Sequence, residues 1–300
     1  MNILITGGSG LLGQRLTQQL QAAGHEVVWL GRSGRNKKVK TAVWNPAKGI
    51  IDQDAVNAAD AIIHLAGANV AAEKWTARYK RVIIDSREQS GQLLVSAIKK
   101  RSRPLSVFVS ASATGWYGLV TDDRMHKEDE PPAKDFFGET CQRWEAATQE
   151  LDGITRRVVF RIGVVISKDG GAFPKLAAPV RIGMGSALGS GDQWIPWIHI
   201  DDVVGMMKLA LDNDQLRGIY NAAAPNQITQ HDFTVAVAQQ YRRPLWLPKV
   251  PAFVLKMMLG EMSGIVLEGC RVDIHRIRSA GYRYKYETIQ QAIAAEAAIE

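Results

Sequence analysis

The chain has 300 residues, 46% of them hydrophobic, and 37 Lys and Arg stand against 30 Asp and Glu for a formal charge of +7. That is enough apolar material for one large α/β domain or for a domain with a smaller companion. No apolar run approaches the roughly 18–20 residues that cross a bilayer, and no leader pattern opens the chain, so membrane spanning and secretion are not expected. The two cysteines, Cys141 and Cys270, form no C-x-x-C pair, which suits a reducing, cytoplasmic setting and offers no disulfide, zinc or redox motif; the dispersed basic residues lack interleaved aromatics and speak against nucleic acid as a partner.

An apolar strand is predicted at 3–6. It runs into Gly7-Gly8-Ser9-Gly10-Leu11-Leu12-Gly13 and then a helix to about 23, whose Leu12, Leu16 and Leu20 share one face. The glycines satisfy G-x-G-x-x-G through Gly8, Gly10 and Gly13, and G-x-x-G-x-x-G through Gly7, Gly10 and Gly13. A strand, a glycine turn and a helix start in that order let backbone N–H groups approach a pyrophosphate, so a dinucleotide is the expected ligand.

A second strand, at 26–30, ends on Gly31-Arg32-Ser33. About twenty residues past the glycine turn, an Asp or Glu would hydrogen-bond the adenosine ribose of NAD. Here Arg32 stands instead, with Ser33, Arg35 and Lys37 behind it. A guanidinium forks onto a 2′-phosphate, which makes NADP(H) the expected cofactor.

Strands follow near 42–44 and at 61–65, then an amphipathic helix over 76–100, a strand at 107–110, a polar loop through Pro131-Pro132, a helix over 138–150 and a strand at 157–161. This alternation predicts an α/β fold, a Rossmann-type doubly wound parallel sheet with helices on both faces. Glycine-rich loops then occupy 170–171 and 183–191. A strand is expected at 197–200, a helix to 211 capped by Asp201 or Asp202, and a last parallel strand at 219–222. Beyond 225, a helix opens at Thr229 with Asp232 in the capping-box position, and an apolar helix covers 253–259. The expected organisation is a nucleotide-binding domain over 1–165, completed by 199–224, and a small, mostly helical substrate lobe made of 166–198 and 225–300.

Five segments carry a resemblance. They are Thr6-Gly7-Gly8-Ser9-Gly10-Leu11-Leu12-Gly13, His64-Leu65-Ala66-Gly67, residues 110–118, Arg161-Ile162-Gly163, and Trp197-Ile198-His199-Ile200-Asp201-Asp202-Val203. In that order they make residues 1–225 resemble the extended short-chain dehydrogenase/reductases. Trp194-Ile195-Pro196, Leu267-Glu268-Gly269 and Ala280-Gly281-Tyr282 are similar to the YfcH-like epimerase branch, which carries an extra C-terminal domain. The resemblance implies that Gly7, Gly10, Leu11, Leu12, Gly13, Arg32 and Ser33 hold the cofactor. It also implies that Leu65, Ala66 and Gly67 line its adenosine and ribose, and that Arg87, Ser110 and Val165 complete the set. A homodimer through the helices at 76–100 and 138–150 is a further implication.

Members of that family use a Tyr-x-x-x-Lys pair, the tyrosine moving a proton and the lysine lowering its pKa. In the matching stretch, Phe137-Gly138-Glu139-Thr140-Cys141-Gln142-Arg143-Trp144-Glu145, the glycine, the hydroxyl residue and the glutamate align while both catalytic positions are replaced. Two candidates remain upstream: Ser112, at the family's substrate-binding serine, and Tyr117, displaced by one extra residue and readable either as a proton donor or as a packed aromatic. His64 and His199 read as hydrogen-bonded structural histidines. Trp116, Trp194 and Trp197 read as an aromatic wall or as core. The resulting expectation is NADP(H)-dependent hydride transfer on a small molecule, as oxidoreductase or epimerase, without the usual pair and without a metal. The alternative is a non-catalytic NADP(H) sensor.

Overall fold

Strands that are apolar at every position must be buried on both faces, and those of this chain are. In the computed structural model, which describes residues 1–32 and 39–297, the first half contains β1 (Asn2–Thr6), α1 (Leu11–Ala22), β2 (Glu26–Gly31), β3 (Thr41–Asn45), β4 (Ile50–Ile51), α2 (Gln53–Ala58), β5 (Ala61–His64), α3 (Ala77–Lys99), β6 (Val107–Ala113), β7 (Met125–His126) and α4 (Phe136–Ala146). The second half adds β8 (Arg156–Ile162), β9 (Val164–Ile166), α5 (Phe173–Arg181), β10 (Trp194–Ile195), β11 (Trp197–His199), α6 (Ile200–Asp212), β12 (Gly218–Ala222), β13 (Ile228–Thr229), α7 (Gln230–Gln240), α8 (Ala252–Leu259), α9 (Gly264–Leu267), β14 (Arg271–Val272), α10 (His275–Ser279) and α11 (Ile289–Ala297).

Eight strands form one sheet in the order β12-β8-β6-β5-β1-β2-β3-β4. Every pairing in it is parallel except β3 with β4. This is the doubly wound arrangement expected, with the strand order reversing beside β1. Alternation along each strand divides the core in two. Ile3 and Ile5, Ala61 and Ile63, and Val107 and Val109 pack with Leu16 and Leu20 of α1 and Val203, Met206 and Met207 of α6. Leu4, Ile62 and Phe108 face the other way and pack with Leu94, Val95 and Ile98 of α3.

A separate core joins Ile166, Phe173, Ile195, Trp197, Phe233, Ile289 and Ile293. It draws on both stretches assigned to the smaller lobe, but the stretch from 225 onward divides: Cys270, Val272, Ile274 and Ile277 are buried in the main core. The expected strand at 197–200 stops at His199, and α6 begins at Ile200. Its cap is also different from expectation. His199 Nδ1 accepts from the Asp201 N–H at 3.1 Å, which frees both aspartates for other work. Asp201 pairs with Arg15 at 2.7 Å and with Lys285 at 3.1 Å. Asp202, fully buried, accepts from the Tyr282 hydroxyl at 2.8 Å and the Lys285 N–H at 2.7 Å. The C-terminal segment is thereby fastened to the start of α6. Of the expected capping box, the forward bond forms: the Thr229 hydroxyl accepts from the Asp232 N–H at 3.2 Å, while the Asp232 carboxylate accepts from that hydroxyl at 2.9 Å and not from the Thr229 backbone. Helices α3 and α4, read as a dimer contact, pack on one another within the chain, where Arg143 meets Glu88 at 2.6 Å. Among the described residues no helix is long and apolar enough to cross a membrane.

Candidate functional site

The glycine turn is built by close approach. Gly7 has φ +69°, a conformation side chains rarely adopt, and a Cβ on it would sit 2.9 Å from the Leu65 carbonyl. A Cβ on Gly13 would lie 2.4 Å from the Gly7 carbonyl oxygen and 2.6 Å from Gly8 Cα, so helix and turn touch backbone to backbone. Gly8 rests on the Trp29 indole, whose Nε1–H donates to Thr17 of α1 at 2.8 Å. Gly10 caps α1 without a side-chain hydrogen bond, and no acidic residue occupies the first turn. Helix N–H groups with neither a cap nor a nearby carboxylate form a site for an anion.

Around this turn the predicted cofactor residues gather. Leu65 and Ala66 donate their N–H groups to the Thr6 hydroxyl at 3.1 and 3.2 Å, which fixes the loop leaving β5 against the end of β1. Leu11 is approached by Gly170 and Gly171, and Gly171 lies near the Val165 carbonyl; the loop after β9 therefore leans toward the glycine turn. Leu12 packs at the edge of the main core. Arg32 is exposed directly after β2, while Ser33, Arg35 and Lys37 lie outside the described residues. Gly67 faces Arg87 of α3, whose Cζ would be 3.0 Å from a Cβ there. Ser110 is buried, and its hydroxyl donates to the Ala111 carbonyl at 3.0 Å.

Thr6, His64 and Ser110 are neighbours in register across β1, β5 and β6. His64 is wholly buried, its Nδ1 2.7 Å from Thr6 Oγ1 and its Nε2 3.2 Å from Ser90 Oγ. Burial, and then the charge of Arg87, lower its pKa from 6.5 to about 3. Below pH 6.5 the unfolded chain takes up a proton that the folded one refuses, so stability is full above that value and falls as the pH drops toward 3. We expect the loss to reach on the order of 3 kcal/mol by pH 4.5. Urea unfolding at pH 7.5 and 4.5 checks it: His64→Asn should lose markedly less stability between the two than the wild-type chain.

The next row toward the strand ends is Ser112, Arg161 and Asn221, in register across β6, β8 and β12. Arg161 is 1% exposed. Its Nε and Nη2 donate to Glu145 of α4 at 2.9 and 3.0 Å, its Nη1 donates to the Glu128 carbonyl at 3.1 Å, and its guanidinium stacks 3.7 Å from the Trp116 ring. Ser112 donates to the same Glu145 at 2.6 Å. Tyr117 donates to Asn221 at 2.7 Å and accepts from Arg161 at 3.2 Å. The row thus brings the two catalytic candidates together, but with both hydroxyls engaged. Burial pushes the Tyr117 phenol well above its ordinary pKa, with Arg161 opposing. Proton transfer from Tyr117 requires it to leave Asn221, and Ser112 can hold a substrate oxygen only by turning from Glu145.

The two replaced positions take different surroundings. Phe137 packs edge-on to Trp75, with ring centroids 4.9 Å apart, and Phe136 does the same. Cys141 is buried, and its thiol is pushed up to about 12 by burial and by the charge of Glu145, so it is an inert thiol rather than a nucleophile. His199 is buried against Glu296 at 2.9 Å. Trp197 belongs to the second core, Trp194 stacks on Arg271 at 4.5 Å, and Trp116 covers Arg161, so the three tryptophans form no common wall. No group of three metal-ligating side chains occurs among the described residues. Sequence reasoning passed over Glu145 and Arg161 as a pair, and Thr6 as the loop's anchor. An arginine inside the buried strand Arg156-Arg157-Val158-Val159-Phe160-Arg161-Ile162 was the available signal, because a buried guanidinium demands a partner.

Residues 3–223 match the model of the NAD dependent epimerase/dehydratase family, and residues 250–296 match a domain of unknown function, DUF1731. The epimerase family protein SDR39U1 homolog, chloroplastic, of Arabidopsis thaliana is 35% identical over 307 residues, covering 98% of this chain and 86% of that protein. Epimerase family protein YfhF of Bacillus subtilis is 32% identical, covering 98% of this chain and 97% of its own. The crystal structure of human epimerase family protein SDR39U1 with NADPH superposes with a TM-score of 0.88 at 31% identity, over the full length of both chains.

Proposed function

The chain belongs to the NAD dependent epimerase/dehydratase family, and from that premise we propose that it is an NADP(H)-dependent oxidoreductase acting on a small molecule. The observation that carries the cofactor choice is the end of β2: Arg32 follows the strand, exposed, and no acidic residue stands there. The glycine cradle fits a dinucleotide, since every Cβ that would fill it collides with backbone or with the Trp29 ring except at Gly10. The similar human protein was crystallised with NADPH, which agrees with this choice. Gly7, Gly10, Leu11, Leu12 and Gly13 would hold the pyrophosphate, Arg32 the 2′-phosphate, and Leu65, Ala66, Gly67, Ser110 and Val165 the remaining length. When bound, the cofactor would supply hydride exchange with a carbonyl or alcohol carbon.

The protein's part is to orient and to manage the proton. Ser112 holds the substrate oxygen after exchanging its bond with Glu145. The burial of Tyr117 favours a water as the proton source, with Tyr117 and Asn221 holding the row in place. Tryptophan quenching tests the cofactor reading. The wild-type chain should bind NADPH more tightly than NADH, and Arg32→Ala should erase most of that preference, on the order of tenfold for a lost charge-assisted contact; equal affinity for both in the wild-type chain would sink it.

A second reading, a non-catalytic NADP(H) sensor, is favoured by one observation: Phe137 and Cys141 stand at the proton-transfer positions while both remaining hydroxyls are engaged. Consumption of NADPH in the presence of any member of a carbonyl library decides for the enzyme. Tight stoichiometric binding without consumption decides for the sensor.

A further inference from the structure

Two segments of the second half carry positive charge and no negative charge. Between Asp169 and Asp192, and again between Asp232 and Glu261, the chain contains no Asp or Glu, while Lys175, Arg181, Arg242, Arg243, Lys249 and Lys256 fall there and are all exposed. The two segments pack on one another. Arg243 Nε donates to the Arg181 carbonyl at 2.8 Å, and Trp246 Nε1 donates to the Gly183 carbonyl at 3.2 Å. The N–H groups of Gly189 and Val250 donate to the carbonyls of Val250 and Ala187 at 2.9 and 2.8 Å. Helix α8 follows directly, and Glu261 beyond its far end is paired with Lys80 of α3.

The same segments hold the most exposed apolar side chains of the protein. Ile182, Met184, Trp246, Phe253, Met257 and Met258 are 60–77% exposed, and among the described residues no other large hydrophobic exceeds 48%. In α8, where every residue but Lys256 is apolar, only Leu255 is buried. A helix apolar on nearly every side belongs in a core or against another apolar phase. Trp246 has its one polar atom bound to Gly183, so the part of the indole that meets water is hydrocarbon. Phe253 and Met257 stand one turn apart on α8, with Lys256 beside them. A groove of about 480 Å³, lined by Ala178, Arg181, Ile182, Tyr241 and Arg243, places two guanidinium groups at a hollow with room for a phosphate-bearing headgroup.

We propose that this face seats the protein on a membrane surface containing anionic lipid, with Trp246, Phe253, Met257 and Met258 entering the headgroup layer and the six basic side chains meeting lipid phosphates. Charge selects this occupant. A basic surface free of carboxylates is complementary to an anionic leaflet, and Trp, Phe and Met among its basic groups supply the apolar half of an interfacial anchor. A protein partner fits less well, because protein interfaces exclude lysine from their apolar centre, whereas Lys256 lies within the apolar set. At a bilayer surface a long basic side chain takes that place by extending its ammonium to the phosphates. The eight residues of α8 span about 12 Å, against a hydrocarbon core of about 30 Å, so the helix lies on the bilayer and does not cross it.

Co-sedimentation of the full chain with vesicles tests this. The chain should pellet with vesicles of phosphatidylcholine mixed with phosphatidylglycerol, stay in solution with phosphatidylcholine alone, and bind less as salt is raised. Phe253→Gln combined with Met257→Gln should lower the binding about tenfold or more, and so should Arg242→Gln combined with Lys256→Gln. All four side chains are exposed, so both double variants should unfold at the wild-type temperature. Failure to pellet with either vesicle overturns the proposal, and so does undiminished binding in the Phe253 and Met257 double variant. A wild-type chain that sediments as a dimer in solution, and as a monomer once Phe253 and Met257 are replaced, overturns it as well and assigns the face to a second copy of this chain.

Discussion

Gly13→Ala is expected to abolish measurable NADPH binding and to destabilise the fold, whereas Gly10→Ala is expected to weaken binding with little effect on stability. The two glycines lie three residues apart in the same turn, and the difference is geometric. A Cβ on Gly13 meets a carbonyl oxygen at 2.4 Å and a Cα at 2.6 Å, both backbone, and neither can move without opening the turn. Relief therefore means sliding α1 away from β1, against the packing of Leu16 and Leu20 in the main core. Overpacking of this kind costs about 1–3 kcal/mol, and the same displacement moves the free N–H groups of the first helical turn away from the anion they receive. At Gly10 the added methyl would meet only the Gly7 oxygen, at 3.2 Å, a contact relieved by a few tenths of an ångström. There the methyl intrudes on the ligand instead. Thermal unfolding together with NADPH titration of both variants checks the pair: Gly13→Ala should lose on both readouts, and Gly10→Ala on the second alone. If Gly13→Ala kept wild-type affinity, the turn would not be the phosphate site.

The contrast also shows what could be read in advance. The glycine turn was legible because local chemistry dictates it: a strand, three glycines and an amphipathic helix leave few conformations open. The sheet was legible for a similar reason, since Ile3-Leu4-Ile5 and Ala61-Ile62-Ile63 are apolar at every position and need cover on both faces. The candidate site was legible only in part. Ser112, Arg161 and Asn221 are 49 and 60 residues apart in sequence and become neighbours through strand order and register, neither of which any local pattern encodes. The helix cap at 199–202 was misplaced for a related reason. Aspartate is the better cap by intrinsic preference, but Asp201 and Asp202 are both engaged by the C-terminal segment and Arg15, so tertiary demand overrides it and His199 caps instead. Cys141 reads in sequence as a lost lysine.

The Arg161–Glu145 pair carries the second large effect. Arg161→Met should cost about 3–5 kcal/mol of stability, because Glu145 is left buried with only the Ser112 hydroxyl to answer its charge. The loss should fall mainly on the uncompensated carboxylate rather than on the missing attraction, and this has a measurable consequence. Changing both partners, Arg161→Met with Glu145→Met, should recover most of the stability lost in the single variant, as urea unfolding of the four proteins of the cycle will report. Recovery should be incomplete, since Tyr117, the Glu128 carbonyl and the Trp116 face also lose the guanidinium. The row lies on β6, β8 and β12, away from the glycine turn between β1 and α1. At a temperature where Arg161→Met is still folded, its affinity for NADPH should therefore match the wild type. Substrate turnover should not be spared, because Ser112 and Tyr117 are both positioned by this row. A variant that binds cofactor normally, unfolds early and fails on substrate would assign the row to the substrate side of the site; one that loses NADPH affinity while folded would show instead that the row shapes the cofactor groove.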